Sequence, residues 1–198
     1  MNVFAISDFH LSINNPKPMN IFGPVWDGYL ESIEKSWAEN VTDEDLVLIA
    51  GDLSWAMTLD DAKADLDYFA RFSGYKVFVR GNHDYWWKSI SAVRACLPPR
   101  TYAVQNDAVK IGDCVVCGSR LWTTPEPNKP QPDEDRKIYD RELLRLKMSL
   151  EAAARLRGEG DRLLVMTHYP PFNSTFRATP FTDAIADYNP DAVVYGHL

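Results

Sequence analysis

Cysteine is scarce and odd in number, with only Cys96, Cys114 and Cys117, so no disulfide framework organises this chain. Positive charge is short as well: 21 Lys and Arg face 28 Asp and Glu, a net charge of −7. That balance lacks the broad basic surface with which proteins grip nucleic-acid backbones, so nucleic acid is disfavoured as a partner. It leaves an anionic substrate open, because bound cations supply positive charge locally. No run approaches the roughly 18 apolar residues of a membrane span. The opening MNVFAISDFH has neither the basic start nor the apolar length of a secretory signal. A cytoplasmic protein without membrane association is expected. Its oligomeric state is not readable from these features.

What is present is an alternation of strand and helix patterns. Val3–Ser7, Leu46–Ala50, Lys76–Arg80, Arg162–Thr167 and Ala192–Tyr195 are short apolar runs that predict buried strands. Residues 25–39 carry apolar side chains at helical spacing. Thr58 is the expected N-cap of a helix to about Phe72, with Asp60 and Asp61 in its first turn. Asp135–Gly158 is a long amphipathic helix. Between them, short strands around Tyr102–Val104, Ala108–Ile111 and Cys114–Gly118, with Asn106-Asp107 as a turn, predict antiparallel hairpins. The class is α/β, and residues 1–198 read as a single domain. The proline-rich stretch 124–135 reads as a solvated loop, with a lid over a site as the alternative. Cys114 and Cys117 form a C-x-x-C. No second pair completes a four-ligand site, so both are read as structural.

The polar residues fall in a telling place. Asp8 and His10 follow the first strand, Asp52 the second, Asn82, His83 and Asp84 the third, His168 the fourth and His197 the last. All four histidines of the chain therefore sit at strand ends. In an α/β sheet the carboxyl ends of the strands are where sites form. Imidazole with carboxylate suits Mn, Fe, Zn or Ni better than Ca or Mg. Gly51, Gly81 and Gly196 would let the backbone turn sharply as it leaves each strand.

The segments ISDFH, GDLS, GNHD, THYPP and the closing GH, in this order, resemble the calcineurin-like metallophosphoesterases. Each motif is weak alone, and five in order form a strong signal. The resemblance implies a four-layer sandwich, two mixed β-sheets face to face with helices outside. It implies two divalent metal ions, with manganese favoured: Asp8 and His10 on the first, Asp52 bridging, and Asn82, His168 and His197 on the second. His83 would face the substrate as proton donor or charge stabiliser, oriented by Asp84. The reaction implied is hydrolysis of a phosphomonoester or phosphodiester by a hydroxide shared between metals roughly 3.5–4 Å apart. A small phosphoester, nucleotides among them, is the expected substrate.

One departure stands out. The family's last motif reads G-H-x-H, and its second histidine belongs to the first metal. Here the motif reads Gly196-His197-Leu198, so a C-terminally truncated chain lacking its closing strands is expected, with a weaker first metal site and slower turnover. A non-catalytic scaffold on the same fold is the competing reading, and retention of His83 and Asp84 argues against it. Trp86 and Trp87 are expected to pack structurally, with stacking on a ring of the substrate as the alternative. Arg80 and Arg120 are expected in ordinary salt bridges, with a phosphate contact as the alternative.

Overall fold

The computed structural model describes residues 1–197. Position 198, which holds the x of the expected G-H-x-H motif, lies outside the described residues. Eight strands form two four-stranded sheets. The first runs β1 (Val3–Ile6), β2 (Leu46–Ile49), β3 (Tyr75–Phe78) and β4 (Thr101–Ala103), parallel throughout. The second runs β5 (Ala108–Ile111), β6 (Cys114–Ser119), β7 (Arg162–Thr167) and β8 (Ala192–Tyr195), with only β5 and β6 antiparallel.

Period-2 alternation builds the layers. Leu46 and Leu48 of β2 point inward with Val77, Cys114, Val116, Leu164 and Met166, filling the space between the sheets. Val47 and Ile49 point outward, against Trp37 of α1 (Tyr29–Asn40), Leu66 and Phe69 of α2 (Leu59–Phe69) and Val93 of α3 (Ile90–Ala95). On the far side, Val115, Cys117, Leu163 and Val165 pack on Leu146, Leu150 and Ala153 of α4 (Asp133–Leu156) and on Phe181 and Ile185 of α5 (Pro180–Ala186). Three cores separate four layers, helices–sheet–sheet–helices.

Local chemistry sets the boundaries. Thr58 caps α2 by accepting the Asp61 N–H. Gly28, at φ 65°, breaks the pattern expected over 25–39 into a 3-10 turn and a helix that starts at Tyr29. A capping box of Thr179 and Thr182 opens α5. Neither α3 nor α5 was expected, because six and seven residues are too few to show a helical period. One hairpin is also placed differently. Asn106-Asp107 marks the crossing from one sheet to the other, since β4 enters the first sheet parallel to β3 through the crossover that carries α3. The hairpin turn is Gly112-Asp113, between β5 and β6. Cys114 and Cys117 lie on opposite faces of β6, so they cannot share a metal.

Because β1, β2, β3, β7 and β8 all end in the loops that carry the polar motifs, one edge of the sandwich gathers them. The proline-rich stretch has no helix or strand over 124–132. It is tied to the loop after β7: Glu126 accepts the Ser174 N–H at 3.0 Å and its hydroxyl at 2.6 Å, and Asn173 donates to Pro125 O at 2.7 Å.

Candidate metal centre

Sharp backbone turns bring the side chains together. Asp8, His10, Asp52 and His197 all have positive φ, between 48° and 58°, the left-handed region that non-glycine residues rarely occupy and that clusters at functional sites. The loops after β1 and β2 run side by side, with Asp8 N–H donating to Gly51 O at 3.1 Å and His10 N–H to Asp52 O at 3.0 Å. From the second sheet, His197 N–H donates to Asp8 Oδ2 at 3.1 Å.

Two groups of donors result, Asp8–His10–Asp52 and Asp52–His168–His197, each with ligand atoms within 4.8 Å of one another. They share Asp52. Its Oδ2 lies 3.9 Å from His10 Nε2 and 3.5 Å from His168 Nε2, and its Oδ1 accepts the His83 N–H at 2.8 Å. Asn82 reaches the second group, its Oδ1 2.6 Å from His168 Nε2. Glycine permits this crowding. A Cβ on Gly51 would stand 2.5 Å from His168 Nδ1, and one on Gly81 would strike Asp52 Oδ1. Gly51 has φ +94° and so also serves the turn expected of it. Gly81 and Gly196 do not have positive φ, and their requirement is close approach instead.

Asp84 is placed differently from the expectation that it orients His83. Its carboxylate is fully buried and accepts five N–H donors: Leu53 (3.0 Å), Ser54 (3.2 Å) and the Trp86 indole (3.0 Å) on Oδ1, Asp52 (3.0 Å) and Gly81 (2.7 Å) on Oδ2. Those bonds fill its acceptor sites, and the His83 ring is left to other neighbours. Asp84 is a positioning residue that ties the GDLS loop to the GNHD loop. Burial raises its pKa, while the Gly81 and Ser54 N–H bonds, the Trp86 indole and the Asp52 N–H pull the other way.

Trp86 and Trp87 are buried in the outer core of the first sheet, with their indole N–H groups bonded to Asp84 and to Gln105 at 2.7 Å. They pack, and they offer no face to a substrate. Tyr169 does meet the site, 4.2 Å from the His197 ring and 5.4 Å from that of His168, and so does Trp55. It stacks on His10 at 4.7 Å and 22° and lies 4.4 Å from the His83 ring. Trp26 meets His10 edge-on at 6.1 Å. Trp55 sits three residues after Asp52, and that adjacency was the one sequence signal that could have found it.

The family model of calcineurin-like phosphoesterases matches residues 1–198. The chain belongs to this family. Comparison with curated proteins finds no match. Among solved structures it is similar to a protein of unknown function from Aquifex aeolicus, 15% identical, with a TM-score of 0.46 over 95% of this chain and 93% of that one. Calcineurin-like phosphoesterases generally bind divalent metals, and the donors of this one suit that use. His168 Nδ1 lies 2.8 Å from Ala50 O, a carbonyl that only accepts, so Nδ1 carries the proton. Nε2 then presents a lone pair to the Asn82 amide oxygen, another acceptor. A cation between them, or an amide turned over, would resolve the opposition, and the remaining donors would suit a cation as well.

Charge tells the same story. Burial, then the Asp84 charge, push Asp52 up to about 8. Burial brings His10 and His168 down to about 4, and it lowers His83 and His197 as well. Neutral imidazoles around a carboxyl that resists ionisation form a donor set that a divalent cation would complete.

Proposed function

We propose that this calcineurin-like phosphoesterase hydrolyses small phosphomonoesters or phosphodiesters, nucleotides among them, with two divalent cations, manganese favoured. Asp8, His10 and Asp52 would hold the first cation, and Asp52, Asn82, His168 and His197 the second. One observation carries this reading: a single oxygen, Asp52 Oδ2, faces a histidine of each group. Bound cations of this kind supply an activated water and neutralise phosphoryl charge.

The chain's own residues do the rest. Asp84 holds the main chain of Asp52 and Gly81, and so fixes the shared carboxylate. Ala50 O fixes the tautomer of His168 through Nδ1. His83 is half-buried, and its Nδ1 is buried without a hydrogen-bond partner. Proton donation to a leaving oxygen therefore falls to its Nε2. Trp55 closes one side of both rings and shields them from water.

The test is hydrolysis of a chromogenic phosphodiester and a phosphomonoester by metal-stripped protein with Mn²⁺ restored, beside Asp52→Asn. Metal-dependent turnover that disappears in Asp52→Asn supports the proposal. Absence of turnover from protein shown to hold two equivalents of Mn²⁺ would sink it and favour the scaffold.

A further inference from the structure

Beside the metal centre on the same edge lies a group of cations that the centre does not use. Arg80 leaves the end of β3, Arg120 follows β6, Lys88 precedes α3, and Arg145 comes from α4 above them. Together with Gln105 and Glu142 they line a cleft of about 80 Å³. Glu142 is buried and fully engaged. Its Oε1 takes Arg145 at 2.7 Å and Arg120 at 3.4 Å, and its Oε2 takes the Ser119 hydroxyl at 2.7 Å.

The expected salt bridge of Arg120 is therefore present, and that of Arg80 is not. Among the described residues Arg80 and Lys88 make no ion pair, since the one carboxylate of the cleft is taken by Arg120 and Arg145. Arg80 is half-buried, and its Nε is buried without any hydrogen-bond partner. A guanidinium so placed is costly unless an acceptor meets it. In a chain of net charge −7, four cations around the one carboxylate that lines the cleft form a local excess that an anion would offset.

We propose that this cleft binds a tetrahedral oxyanion of phosphate type, and that on the phosphoesterase reading the anion is a second phosphate of the substrate. By volume a single water needs about 10–15 Å³ of such a cleft, so it admits a group the size of several waters and excludes a nucleoside. Arginine's forked donors suit phosphate oxygens. The cleft adjoins the metal centre: Arg120 O accepts the N–H of Tyr169, next to His168, at 2.9 Å, and Arg80 stands two residues before Asn82. A substrate with two phosphates could rest one in each place.

Calorimetric titration of the full chain with inorganic phosphate, with chelator present to keep the metal centre empty, tests the site. Wild type should bind one equivalent. Arg80→Ala and Lys88→Ala should each bind about ten-fold more weakly or worse, with melting temperatures showing that both are folded. Lys88 is exposed, so its variant keeps the test readable if Arg80→Ala fails to fold. No binding by wild type, or equal binding by wild type and the folded variants, overturns the site.

The source of the anion is decided on the Mn²⁺-loaded chain, from the ratio of kcat/KM for a phosphoester bearing a second phosphate to that for one without. A ratio about ten-fold lower in Arg80→Ala assigns the cleft to the substrate. An unchanged ratio overturns that assignment. Phosphate binding without turnover of any ester would refute the hydrolase reading and leave the oxyanion site standing.

Discussion

Asp84 holds Asp52 by its backbone: the buried Oδ2 of one carboxylate accepts the main-chain N–H of the other at 3.0 Å and that of Gly81 at 2.7 Å. Two acidic residues thus divide the labour. One presents its oxygens to the site and the other fixes the loops beneath it. Asp84→Asn would turn an amide NH₂ toward N–H donors. The expected cost is about 2–4 kcal/mol from the unmet donors, seen as a fall in Tm of roughly 5–15 °C. A Tm within a degree or two of wild type would show that the five bonds do not hold the loops.

Gly81→Ala probes the crowding around Asp52. The added Cβ strikes Asp52 Oδ1, so the shared carboxylate must shift while the strands stay paired. Mn²⁺ affinity should fall about 10–100-fold, the range seen when a ligand's support is lost. Calorimetric titration with Mn²⁺ checks this, and unchanged affinity in a folded variant would argue against Asp52 as a ligand.

Trp55→Ala removes the ring stacked on His10 at 4.7 Å. His10 Nδ1 is buried and has no hydrogen-bond partner, so the stack is its main lateral support. The weaker of the two Mn²⁺ binding steps should lose about ten-fold in affinity, with the other step little changed. Equal loss at both steps would place Trp55 as general packing.

Acid should loosen the amino-terminal strand. Asp45 accepts the Thr42 N–H at 2.9 Å, the Thr42 hydroxyl at 2.8 Å and the Asn2 N–H at 2.8 Å. The Thr42 bonds, then that from Asn2, hold its carboxyl below the ordinary 3.8. A group depressed on folding stabilises fully above its unfolded value, and that contribution is lost as pH falls through the folded one. Wild type should therefore lose stability below about pH 4, and Asp45→Asn should be less stable at neutral pH with a flatter acid limb. Denaturant melts between pH 2.5 and 7 would show it, and parallel acid limbs would contradict it.

The motifs at the strand ends were legible because metal donors are chemically distinctive and a parallel sheet delivers them to one edge. The layers were legible in outline, since Leu46–Ile49 is buried on both faces and reads as a run without polar gaps. What the sequence hid was relational. Asp84 stands next to His83 in the chain, yet its side chain turns to the backbone of the neighbouring loop. Trp86 and Trp87 stand next to the same motif and face the core. Asn106-Asp107 has the composition of a hairpin turn, but the partner of β4 is β3, and only the register between distant strands decides that. Arg80 looked like an ordinary surface pair, and its want of a carboxylate is visible only when α4 is in place.

The donor groups also straddle the sandwich. Asp8, His10, Asp52 and Asn82 come from the first sheet, and His168 and His197 from the second. A cation held by Asp52, His168 and His197 would act as a clasp at one end of the two sheets, while the opposite end is crossed by the bond from Arg162 to Met1 O at 3.3 Å. Chelation should then let the sandwich gape from the clasped end. Hydrogen exchange would quicken first in the residues following β2 and β7, well before the strands' opposite ends begin to open.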